Sequence, residues 1–344
     1  MSPSGLPAAG YPASARCHVF RFQPSAFYSS SMSIVYSGPA LVKRPRAVAL
    51  RPLASLVIRT YNEAQYLDRV LSQVTVQVIL GARPIEVVLV DSGSTDGTLE
   101  IAARHGAIVK KIRKEEFTFG RSLNFGCEAA TGEILVLVSG HCIPQDEVWL
   151  SELLQPFQDP SVAVTYGRQV GGAASRFSEA RVFEKYYPAG PASQGSAFCN
   201  NANSAVRKSI WRRFRFDESL TGLEDIDLGR KVVAAGFRID YCPQSAVIHI
   251  HHESWPQVRR RYEREAIALR HIHPELHLTL WEAAMCFVSA LWKDFQALLR
   301  EKRHFLLLGE ILHYRFNQFT GSWLGNRPHR ELSAREKARY FFPA

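Results

Sequence analysis

From Ser55 to Val138, short runs of aliphatic and β-branched residues alternate with stretches whose apolar positions repeat at helical spacing. Ser55-Leu-Val-Ile-Arg59 is the first run and Ile85-Glu-Val-Val-Leu-Val90 the second, followed by Ile108-Val109 and Ile134-Leu-Val-Leu-Val138. Between the first two runs, Leu67, Val70, Leu71 and Val74 fall on one face of a helix. Further helices are expected from Thr98 through Ala103 and over Ser122–Ala130. Strands alternating with helices imply βαβ units and a mostly parallel central sheet, an α/β fold. The runs are apolar at consecutive positions, as strands covered on both faces must be.

In such sheets, ligands bind beyond the carboxyl ends of the strands. Thr60-Tyr-Asn-Glu63, Asp91-Ser92 and Ser139-Gly-His-Cys142 all lie at such ends, so three segments distant in the chain are expected on one rim. A carboxylate there can accept from a ribose hydroxyl or a base imide N–H, and an aromatic ring can stack on a base. Asp96, in Ser94-Thr-Asp96 before a helix, reads as a cap. Asp91, ending a fully apolar strand, has less structural excuse.

Beyond residue 160 the pattern is mixed. A strand is expected at Val162–Thr165, a helix from about Glu224 to Ala235 and a strand at Ala246–His249, with a loop-rich segment between the first two. Beyond Pro256 the chain reads as helices. Trp281, Met285, Val288, Trp292, Phe295 and Leu299 form one apolar stripe flanked by Lys293, Arg300, Lys302 and Arg303. That stripe reads as packing against the main domain or forming a homodimer with a twin subunit. The alternative is peripheral attachment to an anionic membrane surface. No uncharged apolar run reaches the ~18–20 residues needed to span a bilayer, which argues against an integral membrane protein.

Charge placement narrows the function classes. The chain carries 42 Lys and Arg against 32 Asp and Glu, a net charge of +10. No acid precedes Glu63, whereas Arg16, Arg21, Lys43, Arg44, Arg46, Arg51 and Arg59 do. Residues 1–50 therefore read as a basic disordered leader or a transit peptide, and the lack of a clear amphipathic helix favours the first. With +7 of the net +10 falling before Glu63, a diffuse nucleic-acid-binding surface is a poor reading. The six cysteines show no CxxC spacing, which suits reduced thiols in a cytoplasmic protein. The domains expected are the leader at 1–50, an α/β domain at 51–255 and a helical region at 256–344.

The motifs in order (TYNE after one strand, VDSGSTDGT after the next, Asn124 with Ala130-Thr-Gly-Glu133, then Gly222-Leu-Glu-Asp-Ile-Asp-Leu-Gly-Arg230 with Gly236 and Pro243) resemble the family-two glycosyltransferases of GT-A fold. The resemblance covers about Ser55 to His252. It implies a Rossmann-like fold that binds a nucleoside-diphosphate sugar and passes the sugar to a hydroxyl with inversion, in surface glycan or glycolipid synthesis. Such an enzyme would be cytoplasmic, at the inner face of the plasma membrane, with a glycan or lipid-linked acceptor. Thr60, Tyr61, Glu63, Asp91, Arg121 and Ser139 then fall in the donor site. Asp225 falls where inverting members place the general base, with Glu224 beside it. On their own, Glu224, Asp225 and Asp227 would be first-turn acids favoured by a helix dipole.

The chain departs from that family in one place. Members usually end the strand after the Gly-Glu motif with an Asp-x-Asp that holds Mg²⁺ or Mn²⁺, and here Ser139-Gly-His141-Cys142 stands instead. His141 takes the place of the second aspartate. His249 and His251, two apart on a strand, share one face and can complete a metal site with it. The competing expectation is metal-independent catalysis, with basic side chains neutralising the leaving diphosphate. Arg259-Arg-Arg-Tyr-Glu-Arg264 reads as a solvated helix face, with pyrophosphate contact as its functional alternative. Cys199-Asn-Asn-Ala-Asn203 offers amides for sugar hydroxyls or is a polar turn. A Cys142–His141 nucleophile pair is disfavoured, because adjacent strand residues point to opposite faces. Two other classes compete with the transferase. One is a catalytically silent nucleotide-sugar-binding module; the other is a sugar nucleotidyltransferase, for which the expected Gly-rich triphosphate loop is absent.

Overall fold

The computed structural model describes residues 52–77, 84–191 and 197–327, and the expected leader at 1–50 lies outside them. The described residues fall within one compact unit. Its centre is an eight-stranded sheet of β1 (Ala54–Thr60), β2 (Ile85–Asp91), β3 (Ile108–Lys111), β4 (Ile134–Ser139), β5 (Cys142–Pro144), β6 (Val162–Gly171), β7 (Asn203–Arg207) and β8 (Arg238–His249). The strand order is β3-β2-β1-β4-β7-β6-β8-β5. Pairings β1–β2, β1–β4, β2–β3 and β6–β8 are parallel, and β4–β7, β6–β7 and β5–β8 antiparallel, so the expected mostly parallel α/β sheet is present.

The apolar runs are buried on both faces by period-two alternation. Leu56, Ile58, Val136 and Val138 meet α1 (Ala64–Thr75), α2 (Thr98–Arg104) and α4 (Trp149–Leu154) on one side. Val57, Leu135 and Leu137 meet α3 (Phe119–Ala129), α5 (Phe177–Tyr186), α6 (Lys208–Phe214) and α7 (Glu224–Ala234) on the other. Leu67, Val70, Leu71 and Val74 are the buried residues of α1, as their spacing requires. Fully burying side chains of this size contributes about 1.5–3 kcal/mol each. That makes the α1–sheet seam a main source of stability.

Two strands were not expected, β5 and β7. The start of β7 is polar because Asn203 is spent on internal hydrogen bonds. Its Nδ2 donates to Ser245 O at 2.9 Å and its Oδ1 accepts from Trp149 Nε1 at 3.0 Å. The Cys199–Asn203 segment is therefore a structural junction, with Asn200 and Asn201 also committed to neighbouring chain. β7 runs antiparallel between β4 and β6 and so joins the two parallel halves of the sheet.

The C-terminal helices are α8 (Trp255–Ile272), α9 (Leu280–Arg300) and α10 (Leu307–Asn326). α10 lies so close to α8 that a Cβ at Gly321 or Gly325 would run into the carbonyl oxygens of Arg259 or Glu263. α9 is anchored by Ala297 and Leu298, which pack with Phe177 of α5 and Ile311 of α10. The apolar stripe is not what packs: Trp281, Val288 and Trp292 are 73%, 59% and 59% exposed. This corrects the expectation that the stripe lies against the main domain. The helix buries Ala283, Asp294, Ala297 and Leu298 instead. No helix among the described residues is long and apolar enough to cross a membrane.

Candidate active site

The strand order reverses between β1 and β4, which open in opposite directions along the sheet toward β2 and β7. Such a switch point leaves a crevice outside the carboxyl ends of the strands. Arg59 pairs with Ser139 in register there, so the turns after the two strands are neighbours. Glu63 Oε1 lies 2.8 Å from His141 Nδ1. Gly140 makes this reach possible, since a Cβ there would come within 2.9 Å of the Glu63 Cγ.

β5 then brings a third strand end to the same place. Cys142 pairs with His249, and Ile250 N–H donates to His141 O at 3.3 Å. The His141, His249 and His251 rings gather as a result, with centroids 5.1 Å (141–249), 5.7 Å (141–251) and 4.1 Å (249–251) apart. One ligand nitrogen from each lies within 4.8 Å of the others. His249 Nδ1 faces Gln169 Oε1 at 2.6 Å and His251 Nδ1 faces Glu179 Oε1 at 2.8 Å. Burial, then the neighbouring His251 and His141, hold the His249 pKa well below the ordinary histidine range, so its ring is neutral. Three imidazoles are suited to a transition-metal ion and poorly suited to Mg²⁺.

Beside the histidines is a cavity of ≈ 430 Å³, within the range of roughly 300–1,000 Å³ for small-molecule sites. Asn62, Glu63, Tyr66, His141 and His251 line one side. Gln257, Arg260, Arg261 and Arg264 line the other, at the spacing of one α8 face. The Arg259–Arg264 run is thus not a simple solvated face. The Arg261 side chain is 16% exposed and bridges Glu179 at 2.9 Å and Glu253 at 2.8 Å. Burial alone would raise the Glu179 pKa, but the His251 hydrogen bond and the Arg261 charge outweigh it and keep the carboxylate ionised. Arg264 stacks over the Phe119 ring at 4.4 Å.

Asp225 is the second residue of α7, next to Glu224. Asn201 N–H donates to its Oδ2 at 3.1 Å and Ile226 N–H to its Oδ1 at 2.9 Å. Burial first, and the adjacent Glu224 charge second, push its pKa up to about 7. Leu223, just before, adopts φ 56°, a left-handed conformation costly for a residue with a Cβ. Glu224 Oε1 takes an ion pair from Arg59 Nη1 at 3.3 Å. A carboxyl poised near neutrality is suited to proton removal.

The remaining expected residues are scattered in role. Asp91 is buried and committed to its own turn. Its Oδ2 accepts from Gly93 and Ser94 N–H at 2.9 and 3.0 Å, and its Oδ1 from Thr60 Oγ1 at 3.2 Å. Asp96 accepts from Ala64 N–H at 3.0 Å and Thr98 N–H at 3.2 Å, the first residues of α1 and α2, so one carboxylate serves the starts of both helices. Asn62, at φ 57°, completes the stitching by accepting Thr95 N–H at 2.8 Å. Tyr61 is 42% exposed at the end of β1, with Lys114 Nζ 5.3 Å from its ring centre. Arg121 is exposed in the first turn of α3, where Thr118 caps its N–H, and Ser139 ends β4 half-buried. Neither Arg121 nor Ser139 lines the cavity. Of the four residues Tyr61, Asp91, His141 and Asp225, only His141 does. The Cys142 thiol is fully buried, which pushes its pKa up and removes it as a nucleophile.

Sequence reasoning missed Gln169 and Glu179, the partners of His249 and His251, and left Arg260, Arg261 and Arg264 undecided. The 257-260-261-264 spacing was the one available signal for the arginine face.

Comparison with known proteins agrees with this architecture. O-antigen chain rhamnosyltransferase RfbN of Salmonella typhimurium is 24% identical over 221 residues, 60% of this chain and 69% of that protein. O-antigen chain rhamnosyltransferase WbaN of Salmonella anatum is 27% identical over 192 residues, covering 52% and 61%. Among solved structures, mannosyltransferase PcManGT from Pyrobaculum calidifontis, in complex with GDP-Man and Mn²⁺, superposes with a TM-score of 0.52 at 20% identity, over 82% of this chain and 88% of that one. That likeness is one of fold, the GT-A fold. The family profile described as glycosyl transferase family 2 matches residues 55–214, which identifies that segment as a family-two glycosyltransferase domain.

Proposed function

We propose that this chain moves a sugar from a nucleoside-diphosphate donor to a hydroxyl acceptor with inversion, and that Asp225 is the base. The observation carrying this reading is the Asp225 carboxyl itself, buried at a helix start and raised to about 7 by burial and Glu224. A carboxylate so placed takes the acceptor proton as the oxygen attacks the anomeric carbon. Tyr61 offers a ring for the base, and the Arg260, Arg261 and Arg264 face offers positive charge to the diphosphate as it leaves. A divalent ion, when bound at the histidines, supplies further positive charge to the same diphosphate.

The names of the Salmonella relatives point to a rhamnosyl donor and a growing surface glycan as acceptor. A lipid-linked acceptor also gives the exposed Trp281–Trp292 stripe a role, docking to an anionic membrane surface with Lys293 and Arg300 beside it.

The test is Asp225→Asn. Transfer should fall by at least the 10²–10⁴-fold typical of a lost general base, while calorimetric binding of the nucleotide sugar stays within a few fold. Equal loss of both refutes the assignment. The missing Asp-x-Asp favours one rival, a silent nucleotide-sugar-binding module, and wild-type binding without any turnover would establish that instead.

A further inference from the structure

The three imidazoles at the crevice share a feature that ring packing does not require. Each Nδ1 faces an oxygen: Glu63 Oε1 at 2.8 Å, Gln169 Oε1 at 2.6 Å and Glu179 Oε1 at 2.8 Å. A carboxylate can only accept, so Nδ1 of His141 and of His251 donates. The Gln169 amide is oriented in the same sense, because its Nε2 donates to Asn200 Oδ1 at 2.9 Å and leaves the oxygen for His249. All three rings are therefore held with the proton on Nδ1 and the lone pair on Nε2. An oxygen acceptor behind Nδ1 is the arrangement that orients metal-ligating histidines and makes them more basic.

We infer that His141, His249 and His251 form a three-imidazole centre for a divalent ion of the Zn²⁺ and Co²⁺ class rather than Mg²⁺, with Glu63, Gln169 and Glu179 as its positioning residues. One ligand nitrogen per ring lies within 4.8 Å of the other two, close enough for one ion to draw them together. Neutral nitrogen donors suit such ions, whereas Mg²⁺ demands oxygen. The two glutamates offset part of the ion's charge. A second grouping, Glu179, His251 and Glu253, fits less well, since Arg261 already holds both of its carboxylates at 2.9 and 2.8 Å. The plain alternative is a stack of rings continued by Phe183, 5.4 Å from His249. It accounts for the packing but not for three oxygen acceptors behind three Nδ1 atoms. The ion's place beside the leaving diphosphate rests on the transferase reading above; its binding does not.

The experiment uses the untagged full chain, stripped with chelator and titrated with Co²⁺ in the absence of any nucleotide sugar. One equivalent should give visible d–d absorption, displaced by Zn²⁺ and unaffected by excess Mg²⁺. His141→Ala and His251→Ala should abolish the spectrum with unchanged far-UV circular dichroism. Glu63→Ala should weaken Co²⁺ binding roughly ten- to a hundred-fold. Should either histidine variant fail to fold, X-ray absorption at the zinc edge of the wild type decides the matter: three imidazoles support the centre and fewer overturn it. It is also overturned by the lack of any spectrum, by one that survives both histidine changes, or by displacement with Mg²⁺. Donor binding measured separately keeps the two ideas apart. A missing centre with intact donor binding removes only the metal, and an intact centre without donor binding removes only the transferase.

Discussion

Arg59 Nη1 lies 3.3 Å from Glu224 Oε1, so the penultimate residue of β1 is tied by charge to the first residue of α7. The pair couples the switch point of the sheet to the neighbouring Asp225, whose pKa is pushed up to about 7. Glu224 pushes that pKa up and Arg59 pulls it down. On top of burial, which raises it most, the Asp225 carboxyl is thus tuned by charged neighbours of opposite sign.

The pH–rate profile should show the tuning. A base must be deprotonated, so kcat/KM is expected to climb with pH through a limb near 7. Glu224→Gln removes the charge that raises Asp225 and should move the limb to lower pH. Arg59→Gln should move it to higher pH. Two limbs that stay put would show that Asp225 is not the titrating group.

Stability should carry the same signature. A carboxyl raised from about 3.9 in the unfolded chain to about 7 in the folded one leaves the folded state holding more protons across that window. Its contribution is full at low pH and is lost as pH rises toward and through the folded value. Asp225→Asn removes the cost of charging the buried site, so its Tm above pH 7 should exceed that of the wild type. Each kcal/mol relieved is worth roughly 2–4 °C for a chain of this class. Scanning calorimetry at several pH values would show an unchanged difference between the two if this is incorrect.

The junction of α5, α9 and α10 offers an independent test of what fastens the C-terminal helices. Arg315 Nε and Nη2 donate to Asp294 Oδ2 and Oδ1 at 2.7 and 2.8 Å, and Ser178 Oγ donates to Oδ2 at 2.6 Å. Asp294→Leu strands a buried guanidinium and should cost about 3–5 kcal/mol in urea unfolding. The double variant Asp294→Leu with Arg315→Met should recover much of that loss. No recovery would mean that the pair is not the fastening.

Trp281 and Trp292 are 73% and 59% exposed, so changing both to serine should leave the melting temperature within about a degree or two, as for other surface substitutions of up to ~0.5 kcal/mol. If the stripe docks to a bilayer, cosedimentation with vesicles rich in anionic lipid should fall several-fold. Wild-type chain that ignores such vesicles would remove the membrane from the proposal.

Much of the frame could be read in advance because it depends on local periodicity. Leu56 and Ile58 against Val57, and the 67-70-71-74 face of α1, express periods of 2 and 3.6 that any windowed reading detects. The pairing of His249 with His251 was legible for the same reason. β7 was not, since its polar start meets hydrogen-bond partners rather than apolar neighbours, and β5 is only three residues long. The turn that Asp91 holds together was not legible either. The Asp91 oxygens are occupied by a turn whose geometry no composition announces.

By itself, the sequence determined which segments become strands and helices, and which ends of them carry Glu63, His141, His251 and Asp225. Only the tertiary structure decided that Glu63 stands behind His141, that Gln169 and Glu179 stand behind His249 and His251, and that α8 turns Arg261 inward. Periodicity is a property of neighbouring residues. These contacts join positions about 70 to 80 residues apart, and they exist because strand order and register place those positions side by side.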